Sequence, residues 1–137
     1  MSTLVVYYSY SGNTSKLAAK ISAQENAALT EVLDQEKPGK LKAYTVGLFA
    51  ARKQAIWPIK PFTADLKQYE RIIFMAPVWA NFPAPAINGV IAMLPPGKKV
   101  EFILVSASGK SNCKGKVTAL VERAGSEVTA WKDVLIK

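Results

Sequence analysis

Two runs of consecutive apolar residues constrain the fold of this chain more than any other feature of its sequence. Residues 71–76 read Arg-Ile-Ile-Phe-Met-Ala, and residues 100–105 read Val-Glu-Phe-Ile-Leu-Val. Successive side chains of a β-strand point to opposite faces of the sheet, so strands with this pattern are buried on both faces. Such strands are typical of parallel sheets that helices cover on both sides, and the runs therefore predict an α/β protein.

The rest of the chain alternates between strand and helix patterns. Strands are predicted near residues 4–8, 28–33, 71–76, 100–105 and 128–136, and helices near residues 14–24, 41–49, 87–94 and 117–124. We expect Ser11 or Asn13 to cap the first helix, while Leu41, Tyr44, Leu48 and Phe49 mark the second as amphipathic. Ligands of parallel α/β sheets bind beyond the carboxyl ends of the strands, so the loops after residues 8, 76 and 105 are the candidate site.

Length and composition favour one domain over residues 1–137 and exclude several classes of site. The chain has no run approaching the roughly 20 apolar residues of a membrane span, and we expect no secretory leader. It has no histidine, which excludes histidine-ligated metals and Ser-His-Asp triads, so we assign no metal-binding or catalytic residue. Its single cysteine, Cys113, forms no internal disulfide and agrees with a cytoplasmic location.

The net charge of +8 makes nucleic acid, an anionic membrane surface and an acidic protein the classes of partner to consider. The basic residues are scattered, and no basic run is longer than Arg52-Lys53 or Lys98-Lys99. The arginine-rich and aromatic-plus-basic signatures of nucleic-acid binding are missing. We therefore expect no nucleic-acid partner.

The first candidate loop joins a strand to the start of a helix. Its residues are Ser9, Tyr10, Ser11, Gly12, Asn13 and Thr14. Free amides at a helix amino terminus, the helix dipole and short hydroxyl side chains together suit a phosphate, and Gly12 lets the backbone approach it closely. The loop lacks the Gly-Lys-Ser/Thr ending of nucleotide hydrolases and the three spaced glycines of dinucleotide folds. An ordinary capped turn is the alternative interpretation.

The second and third loops follow the two most apolar strands. The second loop carries Pro77, Val78, Trp79, Ala80, Asn81 and Phe82. Trp79 is placed to stack on a planar ligand, with a core tryptophan as the alternative. The third loop offers small residues and hydroxyls at Ser106, Ala107, Ser108 and Gly109. Since all three loops follow parallel strands, we predict that they form one site.

These loops resemble those of the flavodoxin-like proteins. Residues 9–14 match the Ser/Thr-x-Ser/Thr-Gly-x-Thr pattern of the flavodoxin phosphate loop at every defined position, and residues 76–85 and 105–109 are similar to the two loops that flank the flavin ring. The resemblance implies a three-layer α/β fold, with a five-stranded parallel sheet of order 2-1-3-4-5 flanked by helices and no C-terminal helix. It also implies non-covalent FMN, its phosphate on residues 9–14 and its ring between the loops of Trp79 and Ser108.

Three features depart from the flavodoxin pattern. Residues 71–100 and 102–121 contain no Asp or Glu, while Lys110, Lys114 and Lys116 adjoin the third loop, so a redox partner protein should be acidic. Residues 78–81 contain no glycine, which favours two-electron reduction of a small acceptor such as a quinone. The third loop contains no aromatic residue. The second wall of the flavin site is then Tyr10, Trp57 or Phe82, a choice that the sequence leaves open.

Several roles remain open at this stage. An electron carrier and a small flavin reductase fit the sequence equally well. The alternative from another class is a flavodoxin-fold module that has lost its cofactor and binds proteins. A receiver-type signalling domain fits poorly, because the first strand is followed by Ser9 and Ser11 and not by an acidic pair.

The predicted strand order also suggests an oligomeric state. Right-handed crossovers place the first helix alone on one face of the sheet, where part of the apolar central strands would stay uncovered. A soluble monomer rarely exposes such a patch. We therefore expect a homodimer that buries this face away from the flavin edge.

Overall fold

The structure, a computed structural model, describes residues 2–136, so the end residues Met1 and Lys137 of the predicted domain lie outside the described residues. Its strands are β1 (Thr3–Tyr7), β2 (Ala28–Glu31), β3 (Arg71–Trp79), β4 (Phe82–Pro83), β5 (Lys99–Ser106) and β6 (Glu127–Leu135). Five of them pair in parallel in the order β2-β1-β3-β5-β6, while β4 pairs antiparallel with the end of β3. The predicted order of the five parallel strands is confirmed, whereas β4 was not predicted.

Helices connect the parallel strands close to the predicted positions. They are α1 (Asn13–Glu25), α2 (Lys40–Lys42), α3 (Leu48–Arg52), α4 (Asn88–Ala92) and α5 (Lys114–Arg123). A π-helix, Ala43–Gly47, joins α2 to α3, and we call the continuous helical stretch "segment 40–52". Single 3₁₀ turns cover Leu66–Gln68 and Pro85–Ile87.

The prediction that Ser11 or Asn13 caps α1 is wrong. The residue before the helix is Gly12, in a left-handed conformation with φ of 100°, and it makes no side-chain cap bond. The hydroxyl of Ser9 instead accepts hydrogen bonds from the backbone N–H groups of Gly12 and Ser15. Ser9 can accept these free N–H groups at the start of α1 because the chain turns sharply at Gly12 and brings Ser9 over the first turn of the helix.

The central strands are buried on both faces, as the apolar runs predict. One face packs with α3, α4 and α5, and its strand residues include Val6, Phe74 and Phe102. The rings of Phe74 and Phe102 are stacked with their centroids 5.4 Å apart. The other face packs against α1 and includes Val5 and Ile73. The helices therefore form a layer on each side of the sheet.

The exposed apolar patch expected on the α1 face is not found. Ile73, Met75, Ile103 and Val105 are only 1%, 0%, 8% and 4% exposed. Beside α1 the same face carries charged residues: the Arg71 guanidinium pairs with Glu101 of β5 and, at 2.6 Å, with Glu25 of α1. This network spans the gap between the helix and the strand, so the apolar side chains beneath are not left in water.

The thiol of Cys113 lies at the start of α5 and is 2% exposed. Burial raises the pKa of this thiol to about 11, although a hydrogen bond with Ser111 acts in the opposite direction. A thiol in this setting stays protonated and unreactive at neutral pH. Its packing within the core cluster makes Cys113 a structural residue.

The burial of Cys113 predicts slow thiol chemistry in the folded protein. At neutral pH, alkylation by iodoacetamide should be at least about 100-fold slower than in the unfolded chain, because fewer thiols are ionised. The free energy of unfolding should also fall as pH rises from about 8.5 to 11, since the unfolded chain loses this proton first. Cys113→Ala should remove that pH-dependent component. Equal alkylation rates in buffer and in guanidinium chloride would contradict the assignment.

Candidate functional site

A cavity of about 320 Å³ lies at the carboxyl ends of β1, β3 and β5. The predicted loops contribute Tyr10, Ser11, Pro77, Val78, Trp79, Ser106 and Ala107 to its lining. Residues outside the predicted set complete it, namely Lys40, Ala43, Tyr44, Leu48, Val105 and Ile136. The parallel sheet thus brings parts of all three loops together at one edge. The volume is at the lower end of the range for small-molecule sites, about 300–1,000 Å³.

The first loop presents hydrogen-bond donors beside this cavity. The amides of Asn13 and Thr14 belong to the first turn of α1, where helix geometry provides no intrahelical acceptor. No heavy atom lies within 4 Å of the position that a Cβ on Gly12 would occupy, so an anion has room to approach the backbone there. Thr14 is 2% exposed and lies beneath the loop, and Ser11 lines the cavity. This geometry suits a phosphate-sized anion.

The prediction that residues 77–79 belong to a loop is wrong, because pairing with β4 extends β3 to Trp79. Trp79 is half-buried and forms one wall of the cavity. Its indole meets the ring of Tyr10 edge-to-face, with centroids 5.7 Å apart and planes at 81°. The ring of Tyr8 contacts it in the same manner at 6.1 Å and 84°. Gly47 of segment 40–52 packs so closely that a Cβ there would lie 2.8 Å from Cζ3 of the indole. Trp79 therefore combines core packing with a face on the cavity.

The remainder of the second loop turns away from the cavity. Ala80 and Asn81 both have positive φ, 51° and 72°, and form the turn of the β3–β4 hairpin. The carbonyl of Asn81 accepts the backbone N–H of Asn112 at 3.3 Å. Beyond the turn, Phe82 is 6% exposed and belongs to the core cluster.

The structure separates the three residues considered for the second wall of a ring site. Tyr10 lines the cavity. Phe82 lies in the core, and so does Trp57, whose Nε1 donates a hydrogen bond to Asp34 Oδ1 at 3.0 Å. The other oxygen of Asp34 accepts the hydroxyl of Tyr8 at 2.6 Å, so this carboxylate holds Trp57 below the site.

Only the first half of the third loop reaches the cavity. Ser106 and Ala107 line it, while Ser108 and Gly109 do not. The hydroxyl of Ser108 accepts the backbone N–H of Lys110 at 3.3 Å and so shapes the turn. Of the first loop, Tyr10 and Ser11 line the cavity, whereas the predicted residues Ser9, Gly12, Asn13 and Thr14 do not.

Segment 40–52 forms the side of the cavity that sequence reasoning missed. The buried side of this segment consists of small residues spaced four apart, Ala43, Gly47 and Ala51. The large apolar residues that indicated the helix, Leu41, Tyr44 and Phe49, are mostly exposed. The four-residue spacing of Ala43, Gly47 and Ala51 was the sequence signal for the buried side of this helix. It identifies that side only when the residue packed against it, here Trp79, is known.

Comparison with solved structures places this architecture among known proteins. A flavoprotein from Lactobacillus acidophilus NCFM in complex with FMN is 27% identical over 95% of this chain and 91% of its own, with a TM-score of 0.76. Two-electron reduced Megasphaera elsdenii flavodoxin is 14% identical over 98% of this chain and 86% of its own, with a TM-score of 0.64. An NADPH-quinone reductase from P. pentosaceus is 11% identical over 98% of this chain and 85% of its own, with a TM-score of 0.60. The chain has the flavodoxin-like fold.

Neither a protein-family model nor a curated protein matches the chain. In residues 2–136 of this flavodoxin-like protein, no group of three or more His, Cys, Asp or Glu side chains is placed to hold a metal ion. Across the same residues, no helix has the length and apolar character needed to cross a membrane. The chemistry available at the cavity comes from backbone amides, hydroxyls, aromatic rings and Lys40.

The contact between Gly47 and Trp79 predicts opposite effects for two glycine substitutions. Gly47→Ala should lower the free energy of unfolding by about 1–2 kcal/mol, because overpacking against the indole outweighs the better helix propensity of alanine. Gly115→Ala in α5 has nothing within 4 Å of the new Cβ and should instead add about 0.5–1 kcal/mol. Urea unfolding measures both. If Gly47→Ala stabilises as much as Gly115→Ala does, the close contact is wrong.

Proposed function

We propose that this protein binds FMN without a covalent bond at the cavity and works as a small redox flavoprotein. The observation that carries the proposal is the combination of a phosphate-type loop at the start of α1 with the aromatic cavity beside it. The similarity to the Lactobacillus acidophilus flavoprotein in complex with FMN supports it.

The residues present fit the two chemical parts of FMN. The amides of Asn13 and Thr14, with the hydroxyls of residues 9–14, would hold the phosphate. Trp79 and Tyr10, whose rings meet edge-to-face, would form one side of the site for the planar ring, with one of the two rings stacked on it. Tyr44 and Leu48 of segment 40–52 line the same cavity and would supply the second wall that the third loop lacks.

When bound, FMN supplies the transfer of one or two electrons, and the protein contributes binding and electrostatics. Among residues 2–136, Lys40 lines the cavity and no acidic residue does. A cationic wall stabilises negative charge inside the cavity.

Within this function, we propose two-electron reduction of a planar acceptor such as a quinone. The backbone that follows Trp79 is a tight hairpin held by the bond between Asn112 and Asn81, and it contains no glycine that would let a peptide reorient. One-electron carriage, as in flavodoxins, is the second candidate because the fold is shared with them. A cofactor-free protein-binding module is the alternative from another class.

An acidic redox partner, a homodimer and a cytoplasmic location remain predictions. The lysines beside the third loop, Lys110, Lys114 and Lys116, are exposed and support an acidic partner. The exposed central-strand residues on which we based the homodimer are not found: Ile73, Met75, Ile103 and Val105 are at most 8% exposed. Sedimentation velocity measures the oligomeric state directly.

FMN should bind more tightly than riboflavin, because riboflavin lacks the phosphate that residues 9–14 would hold. Thr14→Ala should weaken FMN by roughly 1–3 kcal/mol, the scale of a hydrogen bond to a charged group, and leave riboflavin unchanged. Trp79→Ala should weaken both ligands. Flavin fluorescence titration measures the affinities, with Ser22→Ala, farther along α1, as the matched control. Equal affinity for FMN and riboflavin would contradict the phosphate site, and no binding of either would favour the protein-binding module.

Stepwise anaerobic reduction of the FMN-loaded protein distinguishes reductase from carrier. Two-electron chemistry predicts direct conversion of the oxidised spectrum to the fully reduced one with an isosbestic point. Accumulation of a one-electron species would favour the carrier. Ala80→Gly is the informative variant: a glycine in the hairpin should raise the amount of the one-electron species if peptide flexibility controls it.

A further inference from the structure

The outer side of segment 40–52 combines large apolar side chains with basic ones. Leu41 is 80% exposed, Tyr44 73% and Phe49 56%. Basic side chains are exposed among them. We call this surface the basic-apolar face and define it by Lys40, Leu41, Lys42, Tyr44, Phe49 and Lys53.

Folding does not account for the apolar members of this face. Segment 40–52 packs on the protein through Ala43, Gly47 and Ala51, which are buried. Leu41 and Phe49, each more than half exposed and neither lining the cavity, have an unfavourable contact with water that a binding partner would remove. The face is therefore expected to be an interaction surface.

The charge of the surrounding sequence determines which sign of charge a partner of this face should carry. From Lys37 to Ala64 the chain contains six basic residues and no Asp or Glu. Of the two acidic residues just before it, Asp34 accepts hydrogen bonds from Tyr8 and Trp57, and Glu36 is exposed. The Lys53 ammonium lies 4.3 Å from the centroid of the Phe49 ring, so charge and apolar surface are interleaved.

A second copy of the chain does not fit this face electrostatically. In a twofold dimer the same surface meets itself, which would bring like charges together. The partner must be anionic and must also accept protruding apolar side chains. A protein would need cavities shaped for them, whereas the boundary of a bilayer deforms around them.

We propose that the basic-apolar face binds an anionic lipid surface. Leu41 and Phe49 insert between the headgroups, while Lys40, Lys42 and Lys53 attract the anionic lipids. Lys40 and Tyr44 of the same face also line the cavity, so this mode of binding places the lipid surface next to the cavity. Access of a lipid-dissolved quinone to the cavity rests on the proposed function, but binding to the surface does not.

The test is co-sedimentation of the full chain with vesicles, with and without FMN. Vesicles of equal parts phosphatidylglycerol and phosphatidylcholine should bind the protein at least about tenfold more tightly than phosphatidylcholine alone. Added salt should weaken that binding. Vesicle binding without FMN binding would overturn only the proposed function, and the reverse result would overturn only the lipid inference.

Two double variants test the two components of the face. Lys40→Glu with Lys42→Glu, and separately Leu41→Ser with Phe49→Ser, should each weaken binding to the anionic vesicles at least about tenfold. The matched charge control is Lys67→Glu with Lys99→Glu, exposed residues at the opposite, amino-terminal edge of the sheet. It should change the affinity by less than about threefold. Circular dichroism checks that all variants fold.

Three results would overturn the inference. Absence of binding to the anionic vesicles would assign the face to an acidic protein instead. Equal losses for the Lys40/Lys42 and Lys67/Lys99 variants would mean that net charge, and not this face, attracts the lipid. Unchanged binding of the Leu41/Phe49 variant would exclude insertion.

Discussion

The structure depends on the parallel pairing of strands that are buried on both faces. Strands β1, β3 and β5 alternate side chains into the two helix layers, and 15 of their 22 residues are buried. Burial on both faces contributes most of the hydrophobic stabilisation available to a chain of this size. Parallel pairing also requires a crossover after each strand, so every carboxyl end, and every loop that follows it, lies at the same edge. The candidate site is a geometric consequence of this pairing.

The site is then shaped by close packing against one aromatic residue. Trp79 extends β3 beyond the core, and Tyr8, Tyr10 and Gly47 surround its indole. Segment 40–52 lies against the ring only because its buried side is small. That placement has two effects: Tyr44 and Leu48 reach the cavity, and Leu41 and Phe49 are left in solvent. The packing of segment 40–52 against Trp79 thus links the candidate cofactor site to the proposed lipid-binding face.

Charge separates this chain from the acidic flavodoxins that its loops resemble. The net charge is +8, and residues 37–64, which include segment 40–52, contain six basic residues and no Asp or Glu. Asp34 is engaged with Tyr8 and Trp57, and Asp133 accepts the hydroxyl of Ser111 at 2.7 Å. Long-range electrostatics of this sign attract anionic surfaces and repel basic partners. The fold is therefore shared while the partners are expected to differ.

The sequence by itself determined the alternation of strands and helices, the parallel sheet and the sheet edge that carries the candidate site. These follow from local patterns: consecutive apolar runs, helical spacing, and the Ser9–Thr14 loop between a strand and a helix. The strand order followed from the resemblance of the three loops to those of flavodoxin-like proteins. Only the tertiary structure decided which residues of those loops face the cavity. Ser106 faces it and Ser108 does not, because a turn separates them; Phe82 enters the core because Ala80 and Asn81 reverse the chain. It also decided that segment 40–52 packs through its alanines and glycine, because helical spacing reveals that a segment has two faces but not which face fits the space beside Trp79.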